Sequence, residues 1–201
     1  MRNKIHRRES GGAWHPFLWQ TPIGPMTGEV GAQGLHALRF PRGAALRLAA
    51  GVAPGGARLS SAMHAAKERR DLAEWPLVQR LAGVTQAFLE AFFRGEAPRE
   101  EPALDLAGYA AFDRLVWQAA HQIGFGCTET YSELARRIGR PGAARAVGGA
   151  LGRNPLVLLV PCHRVLAQAP GRRRLGGFTG GIELKAWLLN RERSGTLVFT
   201  P

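Results

Sequence analysis

The run Arg140–Leu166, RPGAARAVGGALGRNPLVLLVPCHRVL, decides how this chain is read. Pro141 and Gly142 close a turn, and the apolar spacing after them predicts a helix over Ala143–Leu151. It is an unusual helix. Arg145 is its one long polar side chain, and Gly148 and Gly149 stand together in its middle, each costing about 1 kcal/mol against alanine. The apolar run Leu156–Val160, stopped by Pro161, predicts a buried strand. Directly after it comes Cys162, followed by His163 and Arg164.

Immediately upstream, Thr130–Glu133 reads as a helix start with acidic residues at its positive end. A helix Tyr131–Ile138, the turn GRPG over 139–142 and the helix Ala143–Leu151 form a helix-turn-helix candidate. A helix that reads bases in the major groove needs several long polar side chains. This one lacks them. Its Ala/Gly face suits either close packing in a core or an approach to a widened minor groove, with Arg145 pushing into the base stack.

Cys162 is open to two readings as well. A lone cysteine after a strand is commonly a small core residue. Flanked by proline and histidine it also suits a nucleophile: the histidine can draw the proton from a thiol of pKa ~8.5, directly or through a water, once a third group orients it. Adjacent side chains need not face each other, so the Cys-His pair alone does not decide.

Working outward, Tyr109–Ile123 predicts a helix, and GIELKAWLLNRER (181–193) predicts the last one. The stretch 166–180 is Gly- and Arg-rich and reads as a loop, with Arg172, Arg173 and Arg174 in a row. In the first half, two or three antiparallel strands are expected, near 16–21, 25–31 and 35–40. Residues 41–66 suit either a weak helix or a loop. A helix starts at Pro76 and runs to about 96. Residues 97–108 read as a linker and 1–12 as a flexible basic tail.

The 201 residues carry a net charge of +12, with 27 basic residues of which three are lysine. Residues 1–105 hold +4 and 106–201 hold +8, so the excess lies with Cys162. That balance favours a polyanionic partner, although arginine-rich composition also follows from a GC-rich genome. Two cysteines exclude a disulfide framework and a cysteine-rich zinc site and suit a reducing cytoplasm. No apolar run approaches the roughly 20 residues of a membrane span, and the N-terminus has no apolar signal core.

Taken together, RPGAARAVGGALGRNPLVLLVPCHRVL and LGGFTGGIELKAWLLNRE resemble the O6-alkylguanine-DNA alkyltransferase family over about 109–192, and TPIGPM and GLHALRF resemble its N-terminal domain. The resemblance implies an α+β protein. Residues 1–105 would form a domain with a small antiparallel sheet and helix. Residues 106–201 would form a mostly helical DNA-binding domain. It implies a monomer acting on double-stranded DNA that contains O6-alkylguanine, and O4-alkylthymine too, without cofactor or metal. The damaged base is flipped out, and its alkyl group passes once and irreversibly to Cys162.

Carried onto this sequence, the resemblance makes His163 the base acting through water and Glu192 the group that orients it. Asn154 shapes the active-site turn. Tyr131 donates a proton to guanine N3 and helps turn the phosphate. Arg145 fills the space of the flipped base, with Ala144 and Gly148 on the same DNA-facing helix. The carbonyls of Cys162 and Val165 accept from the guanine amine, Thr179 N–H faces O6, and Phe178 and Gly180 complete the pocket. Phe178-Thr179 departs from the family's common Tyr-Ser, and the Arg172–Arg174 loop is longer than usual. Those arginines either form a solvated loop with no task, or one or two of them meet phosphates or pair with acidic groups of the first domain. Three other classes compete: a lesion-binding relative with tryptophan in place of the cysteine, a helix-turn-helix transcription factor, and a cysteine hydrolase that turns over. Cys162 disfavours the first and the featureless second helix disfavours the second.

Overall fold

Three short strands in the first half build a meander. In the computed structural model, which describes residues 13–41, 73–169 and 172–193, β1 (His15–Trp19), β2 (Met26–Gly31) and β3 (Gly34–Arg39) pair antiparallel in the order β1-β2-β3. In β1 the odd positions His15, Phe17 and Trp19 are buried, the two-residue period of a half-buried strand. Gly28 of β2 lies where a Cβ would meet the Trp19 ring and the Ala37 carbonyl. The expected tail 1–12 and the stretch 42–72 lie outside the described residues.

Helix α1 (Trp75–Arg94) carries Pro76 in its first turn and ends at Gly95, whose φ of 79° closes the C-terminus. Its buried stripe is Val78, Ala82, Thr85, Phe88, Leu89 and Phe92. Each large apolar side chain taken fully from water is worth about 1.5–3 kcal/mol. The stretch read as a linker is tied down instead: Leu35 and Leu104 form a parallel bridge, and buried Asp105 accepts a 3.1 Å hydrogen bond from Trp14 Nε1. The charges Arg99, Glu100 and Glu101 that suggest a linker are exposed, while Pro102 and Asp105 are buried.

Residues from Ala107 onward form a second unit. Helix α2 (Ala111–His121) packs against the helix pair α3 (Tyr131–Arg137) and α4 (Ala144–Gly152). Trp117 of α2 is buried, and its Nε1 donates to the Ala150 carbonyl of α4 at 2.8 Å. Helix α3 starts in a capping box, Thr130 accepting from Glu133 N–H and Glu133 from Thr130 N–H. Gly139 and Gly142 take left-handed φ values in the turn that leads to α4. The helix-turn-helix reading thus fits to within about a residue at each end.

Two expectations fail in this unit. Leu156–Val160 is buried but is not a strand. It folds on itself, with Val160 N–H bonding to the Leu156 carbonyl and Leu158 at φ 72°. Asn154 makes this possible: Oδ1 accepts from Leu156 N–H at 2.9 Å, and Nδ2 donates to the Val160 carbonyl at 2.8 Å. Backbone groups that a strand would give to a neighbour are satisfied inside the loop. Conversely, the Gly/Arg-rich stretch is no plain loop. Strand β5 (Val165–Ala169) pairs antiparallel with β6 (Arg172–Arg174) and parallel with β4 (Glu129–Thr130). Helix α5 (Ile182–Glu192) follows. No described helix is long and apolar enough to cross a membrane.

Candidate active site

Pro161 ends the buried loop, and Cys162–Arg164 forms a single 3-10 turn. Cys162 is half-buried at the wall of a cavity of about 730 Å³. Tyr131, Ala144, Arg145, Gly148, Phe178 and Thr179 line the same cavity. It therefore gathers candidates from α3, α4, the cysteine turn and the segment before α5. Asn154, His163, Val165, Gly180 and Glu192 are not among its lining.

Behind the cysteine lies a dense charged cluster. His163 is fully buried, and its Nε2 lies 2.7 Å from Glu192 Oε1. The two are 29 positions apart, and α5 brings them together. Glu192 also takes Arg164 Nε and Nη2 at 2.9 Å, and Gly126 N–H at 3.0 Å. Burial alone pushes the Glu192 carboxyl up, but the hydrogen bonds and charges of His163 and Arg164 outweigh it and hold the group at about 2. Glu192 is therefore an anion that only accepts, so His163 donates through Nε2–H and keeps its basic lone pair on Nδ1. Burial lowers the His163 pKa, against the raising effect of Glu192. At neutral pH it is a neutral imidazole, the form a base requires.

The Cys162 thiol is pushed up by burial, partly offset by a hydrogen bond from Asn154 and by the charge of Lys185. Asn154 Nδ2 sits 3.4 Å from Sγ. Tyr131 opens α3 with its hydroxyl 3.4 Å from the Gly177 carbonyl, and burial raises its pKa. Gly148 and Gly176 lie beside its ring, where an added Cβ would make ordinary contact at 3.7 and 3.4 Å. Arg145 and Thr179 are exposed, and Gly180 has no space for a Cβ against Phe178 and Leu184. The Val165 carbonyl, expected to meet a guanine amine, already accepts from Lys185 Nζ at 2.7 Å. A carbonyl has a second lone pair, so one acceptor site remains.

Arg173 bonds to Glu133 at 3.1 Å and to Thr128, both in its own unit. The cross-strand pairing of Gln168 with Arg173 in the β5–β6 hairpin positions it there.

Sequence reasoning passes over two residues. Arg164 clamps Glu192 and also bonds the Ile123 carbonyl. Lys185 is fully buried. A signal for the second is present: Lys185, Leu188, Leu189 and Glu192 recur at i, i+3, i+4 and i+7, one face of a helix, which places two charges on an inward stripe.

The family model described as "6-O-methylguanine DNA methyltransferase, DNA binding domain" matches residues 111–194. The methylated-DNA–protein-cysteine methyltransferase of Mycolicibacterium paratuberculosis is 49% identical over 105 residues, 52% of this chain and 61% of that protein. The match thus spans less than two thirds of that relative. A crystal structure of a variant of Mycobacterium tuberculosis OGT superposes with a TM-score of 0.62 at 32% identity, covering 92% of this chain and 96% of the other. OGT of the same organism in complex with DNA gives a TM-score of 0.60 at 34% identity, with coverages of 90% and 93%.

Proposed function

This chain belongs to the O6-methylguanine-DNA methyltransferase family, and from that premise we propose that it repairs double-stranded DNA by moving the alkyl group of O6-alkylguanine onto Cys162. The observation that carries the reading is the convergence at one cavity: a cysteine held by Asn154, backed by an ionised Glu192 on a neutral His163, and facing Tyr131 and Arg145.

The chemistry follows from these groups. The flipped base enters the cavity from the α4 side, where Ala144 and Gly148 let the helix approach a minor groove and Arg145 occupies the vacated stack. The Cys162 proton passes to His163 through a water, and Glu192 stabilises the resulting imidazolium. The thiolate forms an S–C bond as the C–O6 bond breaks, and the bonding electrons leave with guanine. Tyr131 gives a proton to N3, neutralising that anion. The products are a thioether and guanine. A thioether has no route back to thiol among ordinary cysteine redox reactions, so each molecule acts once. O4-alkylthymine presents the same kind of carbon and enters the same reading. The chain acts as a monomer in the cytoplasm, and residues 1–105 and 106–201 are its two domains.

A duplex carrying radiolabelled O6-methylguanine tests this. Label should move to protein, stop at one equivalent, and map to Cys162. Continued turnover would make the protein a hydrolase, and label on exposed Cys127 would remove Cys162 from its role.

A further inference from the structure

Arg164 is a buried charge to which the proposed chemistry gives no step. It follows His163 in the 3-10 turn, and its side chain reaches the same carboxylate. Nε donates to Glu192 Oε2 at 2.9 Å and to Oε1 at 3.1 Å, and Nη2 donates to Oε1 at 2.9 Å. Nη1 donates to the Ile123 carbonyl, and the Phe125 ring centroid lies 5.7 Å from the guanidinium carbon. Residues 123–126 thus seat the pair, with Gly126 N–H donating to Oε2 at 3.0 Å. A carboxylate offers about four lone pairs. Here His163 Nε2–H, Arg164 Nε–H and Nη2–H, and Gly126 N–H take them.

Neutral amides also donate to a carboxylate, and a buried guanidinium is expensive to desolvate. Its charge therefore calls for a reason, and the reason lies in His163. A buried carboxylate with no other counter-charge draws a proton onto the histidine beside it. The resulting imidazolium has no lone pair, so it takes no proton from a thiol. An arginine stays charged at any working pH and balances such a carboxylate permanently. Resting on the reading of His163 as the base for Cys162, we infer that Arg164 is a positioning residue of the relay: its guanidinium balances Glu192, so that the carboxylate orients His163 without charging it. Arg164 acts through Glu192 and not on the alkyl group.

The electrostatics agree with the geometry. Burial lowers the His163 pKa, Glu192 raises it, and Arg164 and Lys185 lower it again. The charged groups acting on His163 are therefore Glu192 and Lys185 from α5 and Arg164 from its own turn. Of the two cations, Arg164 is the one in the ion pair with Glu192. The imidazolium that forms during transfer still meets the carboxylate through Nε2–H, at 2.7 Å.

The test reads the proton on His163 directly. The chain has six histidines, and in protein labelled with 15N-histidine the loss of signals in His163→Gln identifies those of His163. Ring-nitrogen shifts separate the two neutral tautomers from the imidazolium. In wild-type protein His163 should be neutral at pH 7 with its hydrogen on Nε2. That measurement needs no change at Arg164, and an imidazolium there would overturn the inference. Two variants then separate charge from packing. Arg164→Gln keeps donors and loses the charge; Arg164→Lys keeps the charge and loses the fork. A charge within several ångströms shifts a pKa by roughly one to three units. His163 should therefore titrate at least about one unit higher in Arg164→Gln and close to wild type in Arg164→Lys. The acid limb of the pH–rate profile for alkyl transfer should move up by the same shift in the glutamine variant alone. A guanidinium that only packs would leave the His163 proton alone in every folded variant. An unshifted His163 in folded Arg164→Gln, or a lysine variant that shifts as far as the glutamine one, would overturn the inference. If wild-type protein takes no label from O6-methylguanine while His163 titrates as described, the repair reading fails and the charge balance stands.

Discussion

The two sides of Cys162 are built on opposite plans. On the inner side, His163, Arg164 and Glu192 are buried and tightly partnered, with Glu192 accepting from a side chain on either flank and from Gly126 N–H. On the outer side, Ala144, Gly148 and Thr179 are small, and Arg145 is exposed without a hydrogen bond or ion pair to the described residues. The inner side fixes a protonation state before substrate arrives. The outer side leaves its one long cation unspent, so that a nucleic acid can supply the partner. On the proposed function, groups that do chemistry are held by the protein, and the group proposed to meet DNA is left for DNA to hold.

The largest test falls on the inner side. Glu192→Gln should slow alkyl transfer by about 10²-fold, the usual scale for a general base that loses its support, while duplex affinity changes little. Single-turnover kinetics and a filter-binding titration read the two separately. The same variant has a pH signature. The carboxyl is held at about 2 in the native state, below its ordinary value of 4.5. Its contribution to stability is therefore fully present above about pH 4.5 and is lost as pH falls toward 2. The loss amounts to about 3 kcal/mol. Urea melts between about pH 5 and pH 2 should show this slope in the wild type and a flatter one in Glu192→Gln. Equal slopes would mean that the inner cluster is not tuned as described.

On the outer side, Arg145→Ala should reduce transfer from duplex by about tenfold or more, since a flipped base then leaves an unfilled stack worth a few kcal/mol. Reaction with free O6-benzylguanine should fall far less. Comparable losses on both substrates would place Arg145 in the inner group and erase the contrast.

Asn154 straddles the two plans, bonding the loop on one side and the thiol on the other. Asn154→Ala leaves the Val160 carbonyl and Leu156 N–H without that partner, at about 1–3 kcal/mol of stability. A thermal melt should register this loss before transfer does.

The smallest effect belongs to the arginine strand. Arg173 is tied to Glu133, whereas Arg174 is exposed. Changing Arg172, Arg173 and Arg174 to alanine should reduce the slope of log affinity against log salt by about 0.9 for each phosphate that thereby goes unneutralised. An unchanged slope would make the strand a support for α3 and nothing more.

The two plans are unevenly legible in the sequence. The helices are legible, because their period and caps are local: Thr130 and Glu133 announce α3, and Pro76 and Gly95 bracket α1. Leu156–Val160 misleads because an apolar run reports burial and not backbone path; the decisive fact is that Asn154 supplies internal partners. The hairpin escapes notice because its second strand is three arginines, which carry little strand preference, and because β5 also pairs with β4, far away in sequence. The stretch 97–108 hides its bridge to Leu35 for the same reason. At the site, a resemblance supplies the roles, but nothing in the chain order shows that Glu192 serves Arg164 as well as His163. Lys185 goes unremarked because a lone lysine in a helix is expected to face water.

The turn Cys162–Arg164 carries one last consequence. A 3-10 helix advances about 120° per residue, so three consecutive side chains leave the backbone in three different sectors. Adjacent letters in the sequence thereby reach separate compartments: sulfur to the cavity, imidazole and guanidinium to the sealed interior around Glu192. The short turn works as a sorting device, and its weakness is rotational. A single residue inserted between Pro161 and Cys162 would rotate each of the three into its neighbour's place, abolishing the site while leaving every functional side chain present in the chain.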